Sequence, residues 1–208
     1  IIGTKITGLS AAPHLHEKGY KILLLEKEAE PGGRTRSEKA DGFIFDRGFQ
    51  VFLPAYPEAQ KLLDYKALRL KFFQQGAVVH TPKGHSRLAD PLRNPGLLPA
   101  AALSAVGTPQ DKIRLNSLRL ALKNYSVEAI FRMKEMSTAK ALRELGFSQN
   151  IIRRFFRPFL GGVFFDTELE TSSRMFLFVM KMFDKGGAAV PEFGMGEIPM
   201  QLQRQLPP

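Results

Sequence analysis

The residues best able to do chemistry gather at the start of the chain, and the chemistry they suit is the binding of a dinucleotide. Gly3 and Gly8 bracket a short turn, and Glu26 stands 18 positions after Gly8. Glycine permits a tight turn and a close approach of backbone to ligand. A helix that follows such a turn offers its first N–H groups to a pyrophosphate, and an acid closing the next strand takes ribose hydroxyls. Pro31-Gly32-Gly33 comes soon after Glu26. It has the flexibility to bring backbone amides near a phosphate, and Arg34 can hydrogen-bond phosphate oxygens, with Arg36 a second cation close by. An acid at Glu26 repels a 2′-phosphate, so the spacing favours FAD or NAD over NADP.

Positioning these residues requires a strand, a helix and a second strand. Ile1-Ile2 supplies the first strand and Ile6 to about Lys18 the helix, with Leu9, Ala12 and Leu15 near helical spacing. Ile22 to Leu25 reads as a buried parallel strand, short and continuously apolar. Pro13 sits awkwardly inside the helix, where it removes a donor and crowds the preceding turn, so a kink or a marginal helix is expected. His14 and His16 are two apart and do not share a helix face, which argues against a metal site there. Phe43-Ile44-Phe45 reads as another short strand, and Pro57 opens a helix reaching about Asp64.

The same stretch resembles the beginning of the flavin-containing amine oxidoreductases, the group of monoamine oxidases, protoporphyrinogen oxidase and carotenoid desaturases. The resemblance rests on Gly32-Gly33-Arg34 after the acid, on Asp46-Arg47-Gly48, and later on Arg157–Phe164 and Pro191–Pro199. It implies an α/β fold, with a Rossmann-like FAD-binding βαβ unit followed by a mostly helical substrate-side domain. It also implies FAD held by Gly3, Lys5, Gly8, Glu26, Gly32, Gly33 and Arg34, with Gly48, Phe49 and Gln50 approaching the flavin ring. Asp46 is expected to hold its turn rather than do chemistry, and no side chain is assigned as catalytic. Two departures stand out. Lys5 occupies the position of the fingerprint's middle glycine, where a side chain crowds the pyrophosphate. The family also completes its flavin site with a carboxy-terminal segment, and this chain is expected to end short of it. Ile1 falls inside the first strand, so the natural start is expected to lie upstream.

Beyond residue 75 the texture changes. Residues 1–75 read as the amino-terminal part of the dinucleotide domain, 76–190 as the substrate-side domain, and 191–208 as the start of a return. Ala77–Thr81 and Arg87–Ala89 read as strands around a Pro82-Lys83-Gly84-His85 turn, and Asp90–Gly96 is rich in proline. Helices are expected over Leu97–Ala105, Pro109–Lys123, Ser126–Arg132, Thr138–Leu145, Gln149–Phe156 and Ser172–Asp184. Phe155, Phe156, Phe159, Phe164 and Phe165 crowd one stretch. They read first as core, and alternatively as lining for a lipophilic substrate.

Composition narrows the remaining classes. The chain has 208 residues, no cysteine and a formal charge of +10. Disulfides, thiolate metal sites and thiol nucleophiles are excluded, and no metal is assigned. The basic residues are dispersed, so nucleic acid is not an expected partner, while peripheral membrane contact stays open and a cytoplasmic or membrane-peripheral location is expected. No apolar run is long enough to span a membrane. The partner expected is a small molecule, an amine or an apolar compound, oxidised at a C–N or C–C bond. Two other readings stand beside it: a catalytically inactive remnant or interaction module, and a basic helical module for anionic membrane or nucleic acid.

Overall fold

The computed structural model describes residues 1–74, 76–81, 84–89 and 106–206. Pro82 and Lys83 of the expected turn, the proline-rich passage Asp90–Gly96 and the helix expected over Leu97–Ala105 lie outside the described residues. The fold is α/β, and the chain divides into two units. The first takes Ile1–Phe73 and the chain from Gly186 onward, and the second takes Gln74–Lys185.

In the first unit, Gly3 turns the chain with φ +88° and α1 (Ile6–Glu17) follows. The helix runs through Pro13 without interruption, burying Leu9 and Ala12 on one face. It stops where glycine allows. Gly19 has φ +83°, its N–H bonds the carbonyl of His16, and the N–H of Tyr20 bonds that of Leu15. This is a Schellman closure, which satisfies carbonyls the helix leaves over. The chain then returns beside its own start. Ile2 and Leu25 form a parallel bridge, with Gly3 N–H donating to Leu25 O at 2.7 Å and Leu25 N–H to Ile1 O at 3.0 Å.

The expectation of a buried strand at Ile22–Leu25 is corrected here. Leu24 packs into the core cluster of Leu9, Phe52, Leu68, Met195, Ile198 and Leu202, but Leu23 is 68% and Leu25 54% exposed. A parallel strand is buried when both faces are covered, and the described residues cover one.

β1 (Ser37–Ala40) and β2 (Phe43–Asp46) pair antiparallel. Asp41 at φ +51° and Gly42 at φ +80° close them in the doubly left-handed geometry that two-residue hairpins prefer. Next come α2 (Pro57–Leu62) and α3 (Tyr65–Leu68), the latter capped by Asp64. β3 (Lys71–Phe72) pairs with a strand late in the chain, β6 (Ala189–Val190). The last element, α10 (Glu197–Arg204), buries Ile198, Pro199 and Leu202.

The second unit opens with the hairpin of β4 (Gly76–Thr81) and β5 (Gly84–Ala89). Among its described residues the rest is helical: α4 (Pro109–Asn124), α5 (Val127–Phe131), α6 (Thr138–Glu144), α7 (Gln149–Ile151), a π-helical stretch Ile152–Phe156, α8 (Arg157–Phe164) and α9 (Ser173–Gly186). Helix was expected to end at Phe156, and it continues. Pro158 cannot donate to the carbonyl one turn back and its ring crowds that carbonyl. The wider π turn just before it gives the room. Phe156 and Phe176 are fully buried in the core of this unit, with Phe155, Phe159 and Phe164 packed against it. Phe165 differs, at φ +55° and 83% exposed.

Candidate dinucleotide site

The first unit gathers most of the residues singled out in the sequence. Gly8 lies in the first turn of α1, and a methyl group there would run into the carbonyl oxygen of Gly3. The missing side chain is what lets helix and turn approach. The first N–H groups of any helix lack intrahelical acceptors, and at α1 they follow Lys5, whose side chain makes no capping bond. The aliphatic stem of Lys5 lies over Gly33, where an added Cβ would stand 2.9–3.3 Å from it. Lys5 thus fills space between the first turn and the Gly-Gly-Arg loop.

Glu26 is exposed, and its carboxylate turns to the chain's own donors. Its Oε2 accepts the Thr4 N–H at 2.8 Å and the Thr4 hydroxyl at 2.6 Å. Its Oε1 accepts the N–H groups of Lys27 at 2.9 Å and Glu28 at 3.1 Å. The Thr4 hydroxyl foremost, then the Thr4 and Glu28 amides, lower its pKa from 4.5 to about 2. A carboxylate accepts about four hydrogen bonds, so its capacity is already met. A ribose diol would have to displace one of these donors.

The Gly-Gly-Arg loop is tied to the first turn by the Gly32 N–H, which donates to Thr4 O at 2.9 Å. Gly32 has φ +109° and Gly33 φ +56°, conformations that glycine adopts without strain. The Cβ missing at Gly32 leaves room for Pro199 of α10. Arg34 places its guanidinium carbon 5.7 Å from the centre of the Phe49 ring, within cation–π range. Gly48 packs on the Arg34 carbonyl, leaving no space for a side chain. Phe49 and Gln50 are both exposed. Arg36 is mostly buried, pairs with Glu28 and Glu30 at 3.8 and 3.6 Å, and keeps a buried Nε–H without an acceptor.

Several residues that build this region were not read as site residues. Thr4 is buried and clamps Glu26. Asp46 accepts from the Ser37 hydroxyl and from the Met195 N–H at 2.9 Å, while the Gly196 N–H donates to Ser37 Oγ at 2.8 Å. Side chains at Gly194 or Gly196 would collide with Ser37. The glycines of Pro191–Pro199 therefore serve to seat that segment on the β1–β2 hairpin. The signal was present in the Phe-Gly-Met-Gly-Glu pattern, but its partner lies 149 residues away.

Do these residues fit a dinucleotide? The buried Arg36 Nε–H lacks an acceptor, Lys5 immediately precedes α1 with its stem over Gly33 of the loop that carries Arg34, and Gly8 keeps the start of α1 against its turn. Unmet N–H donors and cations are what a pyrophosphate needs. On these grounds the residues fit the group.

The fold is that of a Rossmann-like α/β protein. Residues 6–208 match the model of the flavin containing amine oxidoreductases, and the chain belongs to that family. The flavin expected from the sequence is the family's cofactor. Curated relatives include protoporphyrinogen oxidase 2 of Arabidopsis thaliana, 27% identical over 162 residues, covering 78% of this chain and 31% of the relative. Another is 4,4′-diapophytoene desaturase of Staphylococcus haemolyticus, 44% identical over 48 residues, covering 23% of this chain and 10% of the relative. Among solved structures, a putative protoporphyrinogen oxidase from Exiguobacterium shares the fold at TM-score 0.60 and 18% identity, over 99% of this chain and 50% of the other. Putrescine oxidase does so at TM-score 0.61 and 16% identity, over 98% and 47%. The chain thus spans about half the length of these solved structures and less of the curated relatives. Among the described residues no helix is long and apolar enough to cross a membrane.

Proposed function

We propose that the chain is the dinucleotide-facing part of an FAD-dependent oxidoreductase of the amine-oxidase and desaturase-like kind, acting on a C–N or C–C bond of an amine or lipophilic molecule. The observation that carries this is the buried Arg36 Nε–H without an acceptor, on a side chain whose stem lies against Gly32 of the Gly-Gly-Arg loop. In this reading the α1 amides, Lys5, Arg34 and Arg36 hold the pyrophosphate, and Gly8 keeps them in place. Glu26 turns toward the ribose by giving up the Thr4 hydroxyl. Gly48, Phe49 and Gln50 stand nearest the flavin ring. The second unit provides the substrate side. When bound, the flavin supplies the redox chemistry, so the protein's part is binding, orientation and exclusion of water.

A second reading, a catalytically inactive module, is favoured by Glu26's saturated carboxylate and by the Lys5 stem laid across Gly33. Titration of the purified chain with FAD, followed by flavin fluorescence, separates the two. Saturable binding that weakens about tenfold or more in Arg36→Ala and in Glu26→Ala is expected if the first holds, equivalent to ~1.4 kcal/mol or more. A chain that ignores FAD, alone and with Lys5→Gly, supports the second.

A further inference from the structure

His80 on β4 and His85 on β5 stand directly opposite in the hairpin register. Burial alternates along β4, with Ala77 and Val79 partly buried and Val78 and His80 exposed. Val79 packs against the core of the second unit, so His80 stands on the other face. Opposed residues of an antiparallel pair share a face, which puts both exposed imidazoles together. Their Nδ1 atoms are 3.3 Å apart. The ring centres are 4.9 Å apart with planes inclined by 56°.

That spacing has a chemical meaning. Metal–imidazole bonds are about 2.0–2.1 Å long, and four-coordinate zinc is tetrahedral. An ion equidistant from two nitrogens 3.3 Å apart at such bond lengths subtends an angle of roughly 104–111° between them. This is the tetrahedral angle, reached without moving either ring nitrogen. In the metal-free pair one Nδ1–H donates and the other Nδ1 accepts.

We propose that His80 and His85 form a two-nitrogen chelating site for a divalent transition ion that favours imidazole, such as zinc, copper or nickel. On binding, the donor ring shifts its proton to Nε2, so both Nδ1 lone pairs face the ion with no change in charge or redox state. Among the described residues no group of three or more His, Asp or Glu is placed to hold a metal. The site is therefore open, with its other positions taken by water or an external ligand. The site is separate from the dinucleotide residues and does not depend on their assignment.

Calorimetric titration of the purified chain with Zn²⁺ tests the site. One ion per chain is expected, with His80→Asn and His85→Ala each weakening binding by more than the roughly tenfold that loss of even an outer partner brings. The control is the His14→Ala/His16→Ala variant, which retains the affinity of the parent chain. Long-range ¹H–¹⁵N spectra of the parent chain give a readout without substitution: Zn²⁺ shifts the Nδ1 resonances of both rings together. Absence of binding, affinity unchanged in His85→Ala, or a shift at one ring alone would overturn the proposal.

Discussion

Glu26 joins two points of the chain that sequence separates by 22 residues. Its carboxylate is stabilised as an anion by the Thr4 hydroxyl and by three amides, which hold its pKa at about 2 against an ordinary 4.5. A depressed carboxylate adds stability that is fully present above the unfolded-state value and is lost as pH falls through the folded-state value. For Glu26 that window runs from 4.5 down to about 2. The side-chain amide introduced by Glu26→Gln does not titrate. In chemical denaturation followed from pH 6 to pH 2, the parent chain is therefore expected to lose its advantage over Glu26→Gln below about pH 4.5. A constant difference between the two across this range would show that the Thr4 clamp does not form. The acid itself was legible, because its distance from Gly8 is a sequence quantity. Its partner was not, because Thr4 reaches Glu26 only after α1 has turned the chain back.

At the scale of elements, Gly8 carries the approach of α1 to its turn. Alanine is intrinsically a better helix residue than glycine by about 1 kcal/mol. At this position the added methyl meets the backbone oxygen of Gly3, which cannot rotate away as a side chain would. Overpacking of that kind typically costs about 1–3 kcal/mol, so the clash outweighs the propensity. Gly8→Ala is expected to lower the thermal midpoint measured by circular dichroism and to weaken FAD binding in the same variant. An unchanged or raised midpoint would mean that helix and turn have slack. The extent of α4 was legible to within a residue, while the reciprocal capping box of Thr108 and Asp111 that starts it was unread. The Asp41-Gly42 signal closing β1 and β2 was present but unread. The buried-strand reading of Ile22–Leu25 failed for a different reason. Apolar composition states what a strand can be covered by, not what covers it.

At the scale of the whole molecule, each unit holds a core of its own, and Asp111 is the polar centre of the second. It is fully buried. Its Oδ1 accepts the Ser148 N–H at 2.8 Å, and its Oδ2 accepts the Ser148 hydroxyl at 2.6 Å, the Thr108 N–H at 2.7 Å and the Thr108 hydroxyl at 2.9 Å. Burial acts to raise its pKa, but the bonds from Ser148 and Thr108 prevail and hold it below its ordinary value. One carboxylate thereby fastens the starts of α4 and α7 across the 37 residues that separate Asp111 from Ser148. Asp111→Ala removes every acceptor at once and leaves the Ser148 and Thr108 donors inside the unit. Loss of a cap and of buried charge-assisted bonds costs about 2–4 kcal/mol. Native-state hydrogen exchange reads where that loss falls. Amides of α4, α7 and α8 are expected to exchange about 30-fold faster or more, the equivalent of ~2 kcal/mol. Amides of α1 and α10, whose core shares no residue with that of Asp111, are expected to keep their protection. Equal acceleration in both sets would show that the two cores open as one cooperative body.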